Sequence, residues 1–167
     1  MKPFLAGVIF ALGTAVALGL GVVFLGLAPV NADQRPSTIE ARVLGTALRE
    51  AVGHQAAEVE EPLPPLSDDL ANGGEIYQEM CSRCHGEVGK TSSRFGSSFY
   101  PPAPQLPGHG SEWSERELFW IIKHGIRNTA MPAWGSLLSD GDIRQVAALV
   151  KRFDTVPVPQ PAAEAPH

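Results

Sequence analysis

An all-α fold is predicted for this chain, on three observations. No strand pattern of any length runs between residues 67 and 155. Three stretches there carry apolar residues at helical spacing, two of them opened by cap-forming serines. Before them lies an uncharged apolar run from Phe4 to Ala28, long enough for one membrane-crossing helix. With 15 prolines and 17 glycines the helices must be short and joined by long loops.

Composition removes several function classes. The formal net charge is −5 with no basic patch, which argues against a nucleic-acid partner. The chain has 2 cysteines, too few for a disulfide framework, and both fall within Cys81-Ser82-Arg83-Cys84-His85. Two thiols at this spacing can each add to one vinyl group of a haem, and the histidine that follows can ligate the iron. The motif therefore predicts one covalent haem c, held by Cys81 and Cys84, with His85 as a metal ligand. A thiol–disulfide oxidoreductase would need a βαβ context, and a zinc site would need four ligands. Neither pattern is present.

The N-terminal segment, residues 1–32, reads as a transmembrane anchor. Phe4 to Ala28 spans about 37 Å as a helix, against a hydrocarbon core of ~30 Å. Lys2 precedes it and Asp33 follows, so the positive-inside rule leaves the N-terminus in the cytoplasm and exports the remainder. A signal peptide cut after Val30-Asn31-Ala32 is the alternative. Either outcome places the haem on the outer face of a bacterial inner membrane.

Residues 33–66 form an Ala/Glu/Pro-rich arm. Ser37 and Glu40 spell a capping box for a helix whose Ile39, Val43, Ala47, Leu48 and Val52 share a face. The arm is expected to be a partly helical tether, with docking of this helix on a partner or the membrane as the sharper reading. It ends in the stiff run Glu60-Glu61-Pro62-Leu63-Pro64-Pro65.

Residues 67–155 are the folded domain. Ser67 is expected to cap a helix from Asp68 to Cys81, in which Gly73-Gly74 suggests close helix packing. Gly89-Lys90-Thr91 is not a phosphate loop, because position 84 is Cys where that motif needs Gly. In Phe99-Tyr100-Pro101-Pro102-Ala103-Pro104-Gln105-Leu106 the prolines exclude a sheet and make a rigid wall of carbonyls. A metal-bound histidine needs an acceptor for its other ring N–H, and the Pro104 carbonyl is the candidate. Ser114-Glu115-Arg116-Glu117 is a capping box for a helix with Leu118, Phe119, Ile121 and Ile122, closed by Gly125. A last helix from Ser139 to Phe153 presents Ile143, Val146, Ala147, Val150 and Phe153.

A second axial ligand to the iron would come from Met or His. Met131, in a turn stiffened by Pro132, is the leading candidate, with His109 and His124 as alternatives. Tyr100, Arg127 and Trp134 are candidate hydrogen-bond donors to the haem propionates. Residues 156–167 read as a disordered tail.

Over residues 67–153 the chain resembles the small monohaem class I cytochromes c of bacterial membranes. The likeness rests on Gly73, Tyr77, Cys81 to His85, Pro104-Gln105-Leu106 and Met131-Pro132. It implies that the Pro104 carbonyl accepts from His85, that Leu106 packs on the haem and that Met131 is the distal ligand. It also implies that the first and last helices cross near Gly73. Where the family usually has an aromatic residue at that crossing, this chain has Ala148-Leu149, which predicts a looser contact. The function implied is single-electron transfer with redox proteins or within a larger membrane-bound complex, the chain itself being no enzyme. A haem-based gas sensor or small haem enzyme with an open distal site is the alternative.

Overall fold

The computed structural model describes residues 2–59, 70–88, 92–107 and 111–153. The chain divides into two compact units, Met1–Asn31 and Ala32–His167. The first unit is helix α1, Lys2–Phe24. Its stretch Pro3–Phe24, 22 residues, is long and apolar enough to cross a membrane. The expected span reached Ala28, but the helix stops at Phe24. Gly26 takes a left-handed conformation (φ 68°) that glycine adopts without strain and that ends helices.

The second unit is helical, with no strand among its described residues. It begins with α2, Thr38–Ala56, capped by Ser37, whose hydroxyl accepts the Glu40 N–H at 3.2 Å. The reciprocal half of the expected capping box is replaced: the Glu40 carboxylate accepts the Tyr100 hydroxyl. The arm is therefore not a free tether over this stretch. Val52 and Ala56 are buried against Ile121, with Leu48 half-buried beside them. The expected face is corrected, because Ile39, Val43 and Ala47 are exposed. Each i+4 step rotates by roughly 40°, so 39/43/47 and 48/52/56 are separate rows, and the domain covers only the second. Ser67 and Asp68, the proline run, residues 89–91, His109 and the tail lie outside the described residues.

Helices α3 (Ala71–Ile76) and α4 (Ser82–His85) are joined by one π-helical turn, Tyr77–Cys81. The wider turn ends on Cys81, the first residue of the attachment motif, and such turns often mark functional sites. Helix α5, Glu115–His124, has the expected Ser114/Glu117 capping box and closes at Gly125 (φ 67°). Helix α6, Asp140–Lys151, opens with a second box, Ser139/Asp142.

The core is built where α3, α5 and α6 meet. Tyr77, Leu118, Phe119, Ile122, Ile143, Val146, Ala147, Val150 and Phe153 form one buried cluster, including the whole face expected for α6. Gly73 is the crossing point of α3 and α6: a Cβ there would stand 2.8 Å from the Gln145 carbonyl oxygen. The crossing is not looser for lack of an aromatic at Ala148-Leu149. Phe153, one turn later, meets Tyr77 edge-to-face at a centroid distance of 4.9 Å.

Candidate haem-binding site

The end of the first helical run carries the two cysteines and the histidine. Tyr77, buried in the core, donates its hydroxyl to the Gly86 carbonyl at 2.8 Å. That bond anchors the turn after His85, where Gly86 adopts φ 91°.

The following loop clasps the motif from outside. Leu106 N–H donates to the His85 carbonyl at 3.0 Å, and Gln105 Nε2 donates to the Cys84 carbonyl at 3.1 Å. Ser93 N–H donates to Gln105 Oε1, and the Ser93 hydroxyl donates to the Arg83 carbonyl. Gly96 packs so closely that a Cβ would fall 1.8 Å from the Cys84 carbonyl oxygen. Gln105, Ser93 and Gly96 were not singled out by sequence reasoning as site residues. Their roles depend on chain folding back across ten or more residues, for which one sequence holds no local signal.

His85 Nδ1 lies 2.9 Å from the Pro104 carbonyl oxygen. A carbonyl can only accept, so Nδ1 carries the proton and Nε2 keeps its lone pair for a metal. Burial holds the imidazole below its ordinary pKa and so favours the neutral ligand form, outweighing the Pro104 bond, which acts in the opposite direction. Burial also pushes the free Cys81 thiol up to about 11, with a further rise from Cys84. A redox-active Cys-x-x-Cys pair shows the opposite, a lowered thiol pKa.

On the other side, Met131 sits in a braced turn between α5 and α6. Ile126 N–H donates to the Met131 carbonyl at 3.2 Å. The Thr129 hydroxyl donates to the Ile126 carbonyl at 2.8 Å and accepts the Met131 N–H at 3.1 Å. Asn128 takes φ 60°. Gly125 backs the turn: a Cβ there would be 2.8 Å from the Met131 carbonyl oxygen.

These elements enclose a largely apolar cavity of about 520 Å³. That is within the range of about 300–1,000 Å³ usual for ligand and cofactor pockets. Cys81, Cys84, His85, Pro104, Leu106, Met131 and Trp134 all line it. Two thiols and one imidazole, with the Met131 thioether among the loop residues and Met80 beside the attachment turn, line a largely apolar wall and supply the donor set that a covalent haem needs. The residues present fit the group.

Two expected residues stand apart from the wall. Tyr100 commits its hydroxyl to Glu40, and Arg127 is exposed to solvent; neither lines the cavity. His124 is also outside, with its ring tilted against Trp120 at a centroid distance of 4.9 Å. Leu48 and Trp113 line the cavity without having been expected there. Among the described residues no cluster of three or more His, Cys, Asp and Glu side chains is arranged to hold a metal ion.

The cytochrome c6 of Thermosynechococcus vestitus is 31% identical over 85 residues, covering 51% of this chain and 70% of that protein. The chain belongs to the class I cytochromes c. Residues 68–150 of this cytochrome match the family described as cytochrome c oxidase, cbb3-type, subunit III. The cbb3-type cytochrome c oxidase subunit CcoP of Cereibacter sphaeroides is 34% identical over 80 residues, 48% of this chain and 26% of that subunit. A thiosulfate dehydrogenase of Stutzerimonas stutzeri is 31% identical over 103 residues, 57% of this chain and 31% of the enzyme. The cytochrome thus spans less than a third of the length of these last two relatives. It is a cytochrome c with an N-terminal apolar helix and a cavity whose residues fit a c-type haem.

Proposed function

We propose that this cytochrome passes single electrons through one haem bound by thioethers to Cys81 and Cys84, with His85 and Met131 as axial ligands. The observation that carries this reading is that all four side chains line one cavity. Bound haem supplies a reversible Fe(II)/Fe(III) couple, and a thioether ligand favours Fe(II) and raises its potential. The chain's own residues fix the rest. Pro104 orients the His85 ring, Leu106 and Trp134 exclude water, and the braced 126–131 turn presents the Met131 sulfur.

The haem domain works on the outer face of a bacterial inner membrane, held by α1 with its N-terminus in the cytoplasm. Lys2 before the span supports that orientation. Similarity to an oxidase subunit supports work as a subunit of, or a shuttle for, a larger membrane-bound redox complex.

The test is the spectrum of the oxidised protein. His/Met ligation gives a low-spin ferric spectrum with a weak long-wavelength methionine–iron band. Met131→Ala removes the band and lets the reduced protein bind carbon monoxide. A wild-type protein that lacks the band and binds carbon monoxide at low concentration has an open distal site, and the reading fails.

A further inference from the structure

We propose that α2, which precedes the matched residues 68–150, is a wall of the haem site and positions the Met131 turn. The inference rests on the reading of Met131 as an axial ligand.

Leu48 of α2 lines the cavity itself. Val52 and Ala56, each 1% exposed, pack on Ile121 of α5. Ile126 and Met131, the two ends of the ligand-bearing turn, pack against that same cluster. The turn is thus held on one side by Gly125 and on the other by a cluster to which α2 gives two of its three buried members.

The polar contacts reinforce this placement. The Arg49 guanidinium donates to the Glu112 carboxylate at 3.0 Å and lies 5.2 Å from the centroid of the Trp113 ring. Trp113 lines the cavity, and its carbonyl accepts from Lys151 Nζ of α6 at 3.0 Å. Arg49 therefore lies over a residue that is itself tied to α6.

A ligand side chain stays in place when the groups behind it are locked by packing. The Met131 sulfur would compete with any small ligand that enters the cavity. Emptying the α2 side gives the turn room to swing away, and the incoming ligand gains what the thioether loses.

The experiment uses the full-length, detergent-solubilised, haem-loaded protein, with imidazole as the probe. Imidazole is titrated into the ferric form while the methionine–iron band is followed. In Leu48→Ala and Val52→Ala, imidazole displaces the band at about tenfold lower concentration than in wild type, the effect expected of a core truncation that is felt at the ligand. Leu48→Met, which keeps the volume, returns close to wild-type affinity. Ile39→Ala, on the same helix but 77% exposed, leaves the titration unchanged.

If Leu48→Ala does not load haem, Arg49→Gln decides the question: it removes an exposed contact and shifts the titration about twofold in the same direction. Imidazole affinities within wild-type error in Leu48→Ala, Val52→Ala and Arg49→Gln, with thermal midpoints lowered, make α2 a stabilising element only and overturn the inference. A wild-type protein without the band overturns the ligation reading instead.

Discussion

His85 Nδ1 stands 2.9 Å from the carbonyl oxygen of Pro104, and the His85 carbonyl in turn accepts the Leu106 N–H at 3.0 Å. Ring and backbone of the ligand are both held by one short segment. Proline suits this role because its fixed φ restricts the loop before folding. Pro104→Ala keeps the carbonyl but frees the unfolded chain, so stability should fall by about 0.4–1 kcal/mol. A guanidinium titration of the haem-loaded protein measures the loss. If the loop also loosens on His85, the reduction potential shifts with it, whereas an unchanged potential confines the effect to the unfolded state.

Gly96 and Gly74 give opposite expectations from the same substitution. A Cβ on Gly96 would lie 1.8 Å from the Cys84 carbonyl oxygen, a backbone atom that cannot move without displacing the attachment turn. Gly96→Ala should therefore cost 3 kcal/mol or more, roughly the upper range for overpacking. It should also lower the yield of covalently attached haem, read as haem absorbance per protein. Gly74 lies in α3, and a Cβ added there would meet nothing within 4 Å. Gly74→Ala should stabilise by roughly 1 kcal/mol through helix propensity. A stabilised Gly96→Ala would show that the loop does not clasp the motif as described.

Tyr77 joins the core to the site through two contacts of different kinds. Its ring meets Phe153, and its hydroxyl donates to the Gly86 carbonyl. Burial raises the phenol pKa far above its ordinary value, so it remains a donor over the working pH range. Tyr77→Phe keeps the ring contact and leaves a buried acceptor unpaired, at a cost of about 1–3 kcal/mol. Tyr77→Leu loses both contacts and should cost more. Denaturant midpoints that rank the two variants equally would assign the stabilisation to the hydroxyl alone.

Much of this arrangement was legible in sequence because it depends on local rules. The boxes at Ser114 and Glu117, the Gly125 closure and the apolar face of α6 are each set by residues within one or two turns. The attachment motif and the Pro104 acceptor follow from what haem and a ligating histidine require. What escaped depends on distant contacts. The π turn at Tyr77–Cys81 has no signature in sequence. The partner of α2 could not be read from its own face, because the row it buries, Leu48/Val52/Ala56, is chosen by Ile121 some 65 residues later. Tyr100 was a candidate donor to a haem propionate, and its hydroxyl donates here to Glu40, 60 residues away in sequence.

The two capping boxes set an acid limit on stability. The Ser114 hydroxyl and then its backbone N–H hold the Glu117 carboxyl below its ordinary value of 4.5. The Ser139 hydroxyl, then Asn72, hold Asp142 below 3.8. A group whose pKa is depressed in the folded state contributes its full stabilisation above the unfolded value and loses it as pH falls toward the folded one. Both caps therefore act fully at neutral pH and weaken only below those ordinary values, as protonation removes the acceptor at each helix start. Glu117→Gln with Asp142→Asn should flatten the acid limb of the thermal midpoint against pH and leave its shape above pH 6 unchanged, roughly one unit clear of the carboxylate range. Calorimetry from about pH 2 to neutral, a range that spans the carboxylate titrations, checks this. An acid limb as steep in the double variant as in wild type assigns the loss to other groups.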